Sequence, residues 1–528
     1  MSLKNMIYKV RTDANLSQAK FAACLGVSSQ AVQKWESGES TPGLDKVVQI
    51  AQRFGVSLDA LVLERDERLN EELHYHKEIK PKYANIPSWE SYSSNLLTEY
   101  RQSIEEGLDI SSYEDLFNAV AKMPRGDQKE RIADVLFEIV QDAKICADYV
   151  YDEPSDLSAI RTLCKAHSFE KREPDQSTLQ DKIHGAWLGR ICGCLLGKPV
   201  EGIRSHELIP VLKASGNYPM HRYIRSTDIT EEMINQYSFP LRGRCYADVV
   251  DGMPVDDDTN YVVLAQEVVK RYGREFSSYD MSRAWLAMQP KDAYCTAERV
   301  AFCNFVKGYE PPESGRYKNP YREWIGAQIR GDYFGYINPG DPETAAKMAY
   351  RDACISHVKN GIYGEMFAAA MIACAAVTDS ITDIIRGGLA QIPQSSRLYE
   401  MVEKVISDYE SGVGAEECMA SIHRRFDERN GHDWCHTISN AMIVVAALLY
   451  GEGDFGRSIC MAVQACFDTD CNGATVGSVL GMRNGTAGIG EEWTAPLRDK
   501  LHTSIFGVGT VSVSERAKLT WQHLSKNR

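Results

Sequence analysis

Seven glycines in two sets constrain this chain more than any other feature. Gly185, Gly189, Gly193 and Gly197 recur every four residues, and so do Gly473, Gly477 and Gly481. On a helix, residues four apart are surface neighbours, so each set draws a stripe of bare backbone along one face. Glycine inside a helix costs up to about 1 kcal/mol relative to alanine. A chain that keeps seven of them on such stripes needs another element to approach closely. A membrane-dimer reading fails because the segments carry His184, Arg190, Lys198 and Asn484. The run GCLLGKP is not a phosphate loop, for it lacks the four-residue gap between glycines and the Ser/Thr after lysine.

The surrounding pattern is helical as well. From Leu179 to about Leu524, apolar stripes such as Tyr261, Leu264, Ala265 and Val268 recur between Gly/Pro/Asn/Asp loops, and few alternating runs occur. The expected fold class is all-α: a small five-helix head, a helical connector and a large helical body. A length of 528 residues is too great for a single core. The expected divisions are a head over 4–65, a polar linker over 66–90 containing Pro81 and Pro87, a connector over 91–152 and a body over 153–528. In the connector, Ile132, Val135, Leu136, Ile139, Val140 and Ala143 share one helical face that neither flank obviously requires, so it is expected to serve a homodimer contact or the docking of head on body. No apolar run approaches the roughly 18 residues of a membrane span. The start, MSLKNMIYKV, has no signal-peptide apolar core. The 15 cysteines lack a secreted spacing and suit a reducing compartment. The expected location is therefore cytoplasmic, with no membrane partner.

Charge separates the regions. The whole chain carries −14, which argues against non-specific nucleic-acid binding by the entire molecule. Residues 1–65 nevertheless hold eight Lys/Arg against six Asp/Glu. Within them, LSQAKFAACLGVSSQAVQKWESGESTP describes two short helices around a turn. Leu16, Phe21, Ala22 and Leu25 give the first an apolar face. Gly26 suits the left-handed residue that ends it, and Ser28 or Ser29 can cap the second. That second helix buries Ala31, Val32 and Trp35 and presents Ser29, Gln30, Gln33 and Lys34. Gln matches an adenine edge and Lys a guanine or a phosphate. Gln18, starting the preceding helix, is placed for a phosphate. These residues, with the closing FGVSLDAL, resemble the Cro/repressor-like (XRE-type) helix-turn-helix family over about 5–63. The resemblance implies a double-stranded DNA operator as partner, read by a dimer.

Two carboxylate clusters precede helical runs in the body: Asp256-Asp257-Asp258-Thr259 and Asp468-Thr469-Asp470-Cys471-Asn472. Adjacent buried carboxylates repel, and a divalent cation offsets that cost. Oxygen ligands suit Mg²⁺, Ca²⁺ or Mn²⁺ rather than zinc. One acidic run alone is more often a solvated helix cap. The trio His432, Cys435 and His436 is spaced like part of a zinc cluster but lacks a second ligand pair in sequence.

The motifs IHGAWLGRICGCLLGKPVEG (183–202), VDDDTNYVVLA (255–265) and FDTDCNGATVGSVLG (467–481), with 337–370 and 433–451 between them, resemble the ADP-ribosylglycohydrolase family. The resemblance implies an orthogonal helical bundle around a cleft holding two Mg²⁺, with Mn²⁺ an alternative. Its metal positions fall on Asp256, Asp257, Asp258, Asp468, Asp470 and Cys471, and its mobile acidic residue on Glu201. The reacting groups implied are Glu201, Asp257 and Asp468. The substrate contacts implied are Glu201, Asn338, His357, Gly361, Tyr363 and Asn472. His357 is equally compatible with helix packing, and the Asn338 loop with a plain helix entry. Three positions depart from the pattern: Asp256 stands for a threonine, Cys471 for a threonine, and Cys194 for a common aspartate. Asn472 or water can take the place of the oxygen lost at Cys471. The implied activity is metal-dependent hydrolysis of an N- or O-glycosidic ADP-ribosyl bond, on a small molecule or a modified target. The alternatives are a transcription regulator whose body senses ADP-ribose or a related nucleotide, and a hydrolase of another small N-glycoside.

Overall fold

A computed structural model describes residues 3–62, 79–164, 169 and 171–525. Most of the expected linker, 66–78, lies outside the described residues. The chain divides into two compact units, Met1–Ile86 and Pro87–Arg528.

The smaller unit has five helices: α1 (Leu3–Asp13), α2 (Gln18–Leu25), α3 (Ser29–Ser37), α4 (Leu44–Phe54) and α5 (Leu58–Val62). Ser17 caps α2, and Gly26 ends it at φ 61°. Ser28, rather than Ser29, caps α3 by accepting from the Ala31 amide. Ile7, Phe21, Leu25, Val32 and Ile50 make the core, with Phe21 stacked on Phe54 at 4.9 Å. The Arg11 guanidinium donates to Glu36 at 2.6 Å and to the Leu16 carbonyl, tying α1 to α3.

The larger unit is a helical bundle whose named strands are one short antiparallel pair, Lys500–His502 with Thr510–Ser512. The fold is all-α, as its apolar periodicity requires. The connector belongs to this unit. Its helix α6 (Leu96–Glu105) is held by buried charge: Arg322 donates to Glu99 at 2.8 Å and to Glu106 at 2.6 Å, and the Gln102 amide to Glu323 at 2.6 Å. In α7 (Asp127–Asp142), Ala133, Leu136 and Val140 bury against Tyr92, Leu96, Ile110 and Phe117. The stripe expected to serve a dimer or a head contact is thus largely covered within the chain. Val135 is its exposed member, at 52%. Trp89 stacks under Arg299 and Glu90 pairs with Lys291, so the segment from Pro87 is already fastened to the bundle.

Five helices of the body carry the glycine stripes, the acidic clusters and the core around them: α8 (Gln176–Gly197), α9 (Asp257–Tyr272), α10 (Lys359–Ala375), α11 (Thr437–Tyr450) and α12 (Thr469–Asn484). Helices α10 and α11 are buried along nearly their whole length. Among the described residues, no helix is long and apolar enough to cross a membrane.

Candidate functional site

The two glycine stripes face each other. A methyl on Gly189 would lie 2.0 Å from the Gly477 carbonyl oxygen. One on Gly193 would lie 1.9 Å from that of Gly473, and one on Gly185 2.4 Å from that of Gly481. Helices α8 and α12 therefore run antiparallel with backbone on backbone. The same register continues to the end of α8, where Thr469 Oγ1 donates to the Gly197 carbonyl at 3.0 Å. The last turn of α8 and the residues after it, Cys194 to Glu201, are brought to the first turn of α12, where Asp468 is the N-cap.

The start of α9 is drawn to the same place by cations on and just after α8. Arg190, 1% exposed, donates from Nη2 to Asp258 Oδ1 at 2.8 Å, from Nη1 to Asp332 Oδ2 at 2.8 Å, and from Nε to the Asp258 carbonyl. Lys198 Nζ donates to Asp256 Oδ2 at 2.5 Å. The other oxygen of Asp256 caps α9 by accepting from the Asp258 amide at 2.8 Å. Candidate ligand atoms of Cys194, Asp256 and Asp258 lie within 4.8 Å of one another, and so do those of Asp258, Asp470 and Cys471. The two acidic clusters, about 210 residues apart in sequence, form one site with Asp258 common to both groups.

Its electrostatics are those of an anion cluster that Arg190 and Lys198 compensate only in part. Burial, then the charges of Asp256 and Asp470, push the Asp257 carboxyl up to about 7. Burial raises Asp258 against the opposing pull of Arg190. Burial raises Asp468 and Asp470 as well, with Asp470 and Asp256 respectively adding to it. At the rim, Glu201 is open to solvent, yet the Asp470 charge, then crowding by the protein, pushes its carboxyl up. Solvent moderates that shift. Asp258 Oδ2 and Asp470 Oδ1 are buried without a hydrogen-bond partner. Buried carboxylate oxygens left this way are costly unless a proton or a metal satisfies them.

Thiols surround the carboxylates. Besides Cys194 and Cys471, Cys435 donates to Asp468 Oδ2 at 3.7 Å, and Cys295 is in contact with Asp257. Arg190, Lys198, Cys295 and Cys435 were not anticipated from sequence as parts of the site. Arg190, Cys194 and Lys198 are spaced by four beside the glycine stripe, a signal that was present. Cys295 and Cys435 are brought in by tertiary packing alone.

Other expected site residues lie elsewhere. The Asn338 oxygen accepts from Arg274 and its amide donates to the Phe334 carbonyl at 2.8 Å. Its loop pairs with Arg172 just before the start of α8. At about 1.5 Å per residue, that is some 25–30 Å along α8 from Cys194. His357 is 1% exposed, bonds Ser356 Oγ through Nδ1 at 2.8 Å, and is held well below the usual imidazole range by burial and then by Arg330. Gly361 accommodates the Arg322 carbonyl, and Tyr363 donates its hydroxyl to the Pro154 carbonyl. These three pack the start of α10. Asn472 does lie in the first turn of α12, donates to Asn440 Oδ1 at 2.8 Å and keeps a buried, unpartnered oxygen. The rings of His432 and His436 face Glu105. Trp324 Nε1–H donates to His432 Nδ1, and the Ile438 amide to His436 Nδ1, each at 3.1 Å. Both rings therefore keep their lone pair at Nδ1 and a proton at Nε2; that of His432 goes to Glu105 Oε2 at 3.0 Å, while His436 Nε2 is buried without a hydrogen-bond partner, 3.7 Å from Glu323. His432 thus acts as a donor that clamps α6 through Glu105, an arrangement opposed to metal ligation by that ring.

In the head, Ser29, Gln30, Gln33 and Lys34 are exposed on α3, as their spacing predicts. Gln18 is half-buried, and its amide donates to Glu36 Oε2 at 2.8 Å.

Residues 175–519 match the family model ADP-ribosylglycohydrolase. The chain belongs to the ADP-ribosylglycohydrolase family. A helix-turn-helix family model matches residues 7–61. Over 62 residues the chain is 36% identical to the HTH-type transcriptional activator BcrR of Enterococcus faecalis, covering 12% of this chain and 30% of that protein. Over 61 residues it is 34% identical to the cryptic phage CTXphi transcriptional repressor RstR of Vibrio cholerae serotype O1, covering 12% and 54%. The chain thus spans about a third and about half the length of these curated relatives. A solved ADP-ribosylglycohydrolase-related protein complex aligns with a TM-score of 0.42 and 17% identity, over 67% of this chain and 100% of that one.

Divalent cations are typical of ADP-ribosylglycohydrolases, and the donor set fits them. Two orphaned carboxylate oxygens lie among carboxylates raised by burial and then by neighbouring carboxylate charge, a configuration that a divalent cation relieves.

Proposed function

We propose that this chain is a metal-dependent hydrolase of N- or O-glycosidic ADP-ribosyl bonds joined to a sequence-specific DNA-binding head. The head spans 4–65, a linker runs from 66 to 86 in place of the expected 90, and a body fastened by its connector forms the rest. The observation that carries the reading is the pair of buried, unpartnered oxygens of Asp258 and Asp470 at the meeting of two carboxylate clusters.

Asp256, Asp257, Asp258, Asp468, Asp470 and Cys471 are the proposed holders of two Mg²⁺ ions, with Mn²⁺ the alternative. Bound there, the cations supply Lewis-acid polarisation of ribose hydroxyls and a water. Glu201, open to solvent at the rim, is the group placed to accept the proton of the attacking water. Asp257 and Asp468 stabilise positive charge developing on the ribose. Asn472 keeps a buried free oxygen for a substrate hydroxyl. On the head, Ser29, Gln30, Gln33 and Lys34 read an operator as a homodimer.

A second reading, ADP-ribose sensing with little turnover, draws on Lys198. Its ammonium occupies Asp256, whose other oxygen is spent on a helix cap. Incubating the full chain and divalent cation with an ADP-ribosylated peptide and an ADP-ribosyl ester separates the two. Release of free ADP-ribose that is lost in Asp470→Asn supports hydrolysis. Tight ADP-ribose binding without release from either substrate replaces it with sensing.

A further inference from the structure

The cysteines around the carboxylates differ in how their sulfurs are used. Cys435 is committed to Asp468. Cys192 is committed to the Trp493 carbonyl at 3.3 Å. Cys471 is buried, and among the described residues no hydrogen bond engages its thiol. Its sulfur lies within 4.8 Å of carboxylate oxygens of both Asp258 and Asp470. Those two residues also carry the buried oxygens without partners, Oδ2 of Asp258 and Oδ1 of Asp470. The neighbouring group of Cys194, Asp256 and Asp258 is less free, because both oxygens of Asp256 are engaged, one by Lys198 and one by the α9 amide. The two residues that carry the open valences therefore share one group with the Cys471 sulfur, contributed by the starts of α9 and α12.

We propose that the cation at Asp258 and Asp470 is bound through Cys471 sulfur as well, so that this position selects a thiophilic divalent ion of the zinc class over magnesium. The inference rests on the metal-binding reading above and replaces magnesium with a thiophilic ion at one of its two positions. Magnesium requires near-octahedral oxygen coordination and sheds water reluctantly. A thiolate ligand tips selection toward zinc and cobalt. Binding replaces the S–H bond with a sulfur–metal bond, and the proton leaves to solvent. No electron transfer is involved.

The test uses Co²⁺ as probe on the full chain stripped with a chelator. Calorimetry counts the ions taken up, and absorption reads the near-ultraviolet sulfur-to-cobalt charge-transfer band. The band is expected in the wild type and in Cys435→Ser, and is expected to be absent in Cys471→Ser. In Cys471→Ser the ratio of Zn²⁺ to Mg²⁺ affinity is expected to fall about 10- to 100-fold, at least the loss typical of removing a supporting residue from a metal site. Circular dichroism checks the fold of the variant. Cys471→Thr supplies a second isostere, with the same loss of the band expected, should the serine variant not fold. Co²⁺ uptake without the band overturns the proposal, as does a band that survives both Cys471 variants. No uptake of Co²⁺, Zn²⁺ or Mg²⁺ by the wild type overturns the metal reading itself and this proposal with it, which distinguishes the two failures.

Discussion

The two acidic clusters look alike in sequence and differ in how the fold treats them. At the start of α9, the chain supplies its own countercharge: Arg190 clamps Asp258 and Asp332, and Lys198 clamps Asp256. At the start of α12, Asp468 meets a thiol and Asp470 keeps a bare oxygen. The first cluster is partly a structural ion-pair network. The second keeps a buried carboxylate oxygen without a hydrogen-bond partner. A run of aspartates therefore says little until the side chains opposite it are known.

The largest effect should come from removing the internal countercharge. Arg190→Met strands two fully buried carboxylates and is expected to cost about 3–5 kcal/mol, read as a lower urea midpoint for the larger unit alone. The stripes that bring the clusters together come next. Gly193→Ala places a methyl 1.9 Å from the Gly473 carbonyl and should cost about 3 kcal/mol, the upper range for overpacking. Unfolding should show the head's transition unchanged.

The opposite sign is expected at the second cluster. Asp470 ionises against burial and Asp256, so Asp470→Asn should stabilise the metal-free protein by about 1 kcal/mol while abolishing cation binding. Thermal melts with and without chelator check both halves. A smaller test concerns Lys198. Lys198→Met removes a positive charge from the site and should raise divalent-cation affinity on the order of tenfold, measured by calorimetry.

The pH dependence has its origin in the same contrast. Asp257 is raised from the usual carboxylate range to about 7. A raised carboxyl contributes stability that is present below its unfolded value and is lost as pH rises through the folded one. The metal-free protein should thus lose stability between about pH 4 and pH 7, and the stabilisation given by added cation should grow across that window. Melts at stepped pH, with and without cation, check the direction.

Much of this architecture could be read from residue spacing. The glycine period announced a close helix contact, and the caps at Ser28 and Gly26 marked the head's helices. Asp256 to Asp258 and Asp468 to Asp470 announced themselves as clusters. What spacing could not say is that the two stripes choose each other, because a stripe specifies a face and not its partner. Nor could it show that Asn338 spends its polar atoms internally, or that Glu105 holds His432 as a clamp on α6. The connector stripe around Leu136 was visible, but the chain that covers it, from Tyr92 to Phe117, is assembled only in three dimensions.

The central claim is that the joined clusters hold divalent cations. Calorimetric titration of Mn²⁺ into the chelator-stripped full chain, beside Asp257→Ala and Asp470→Ala, tests it most directly. Saturable binding in the wild type that is lost in both variants, each still folded, is the predicted result. Equal affinity in all three proteins would contradict it.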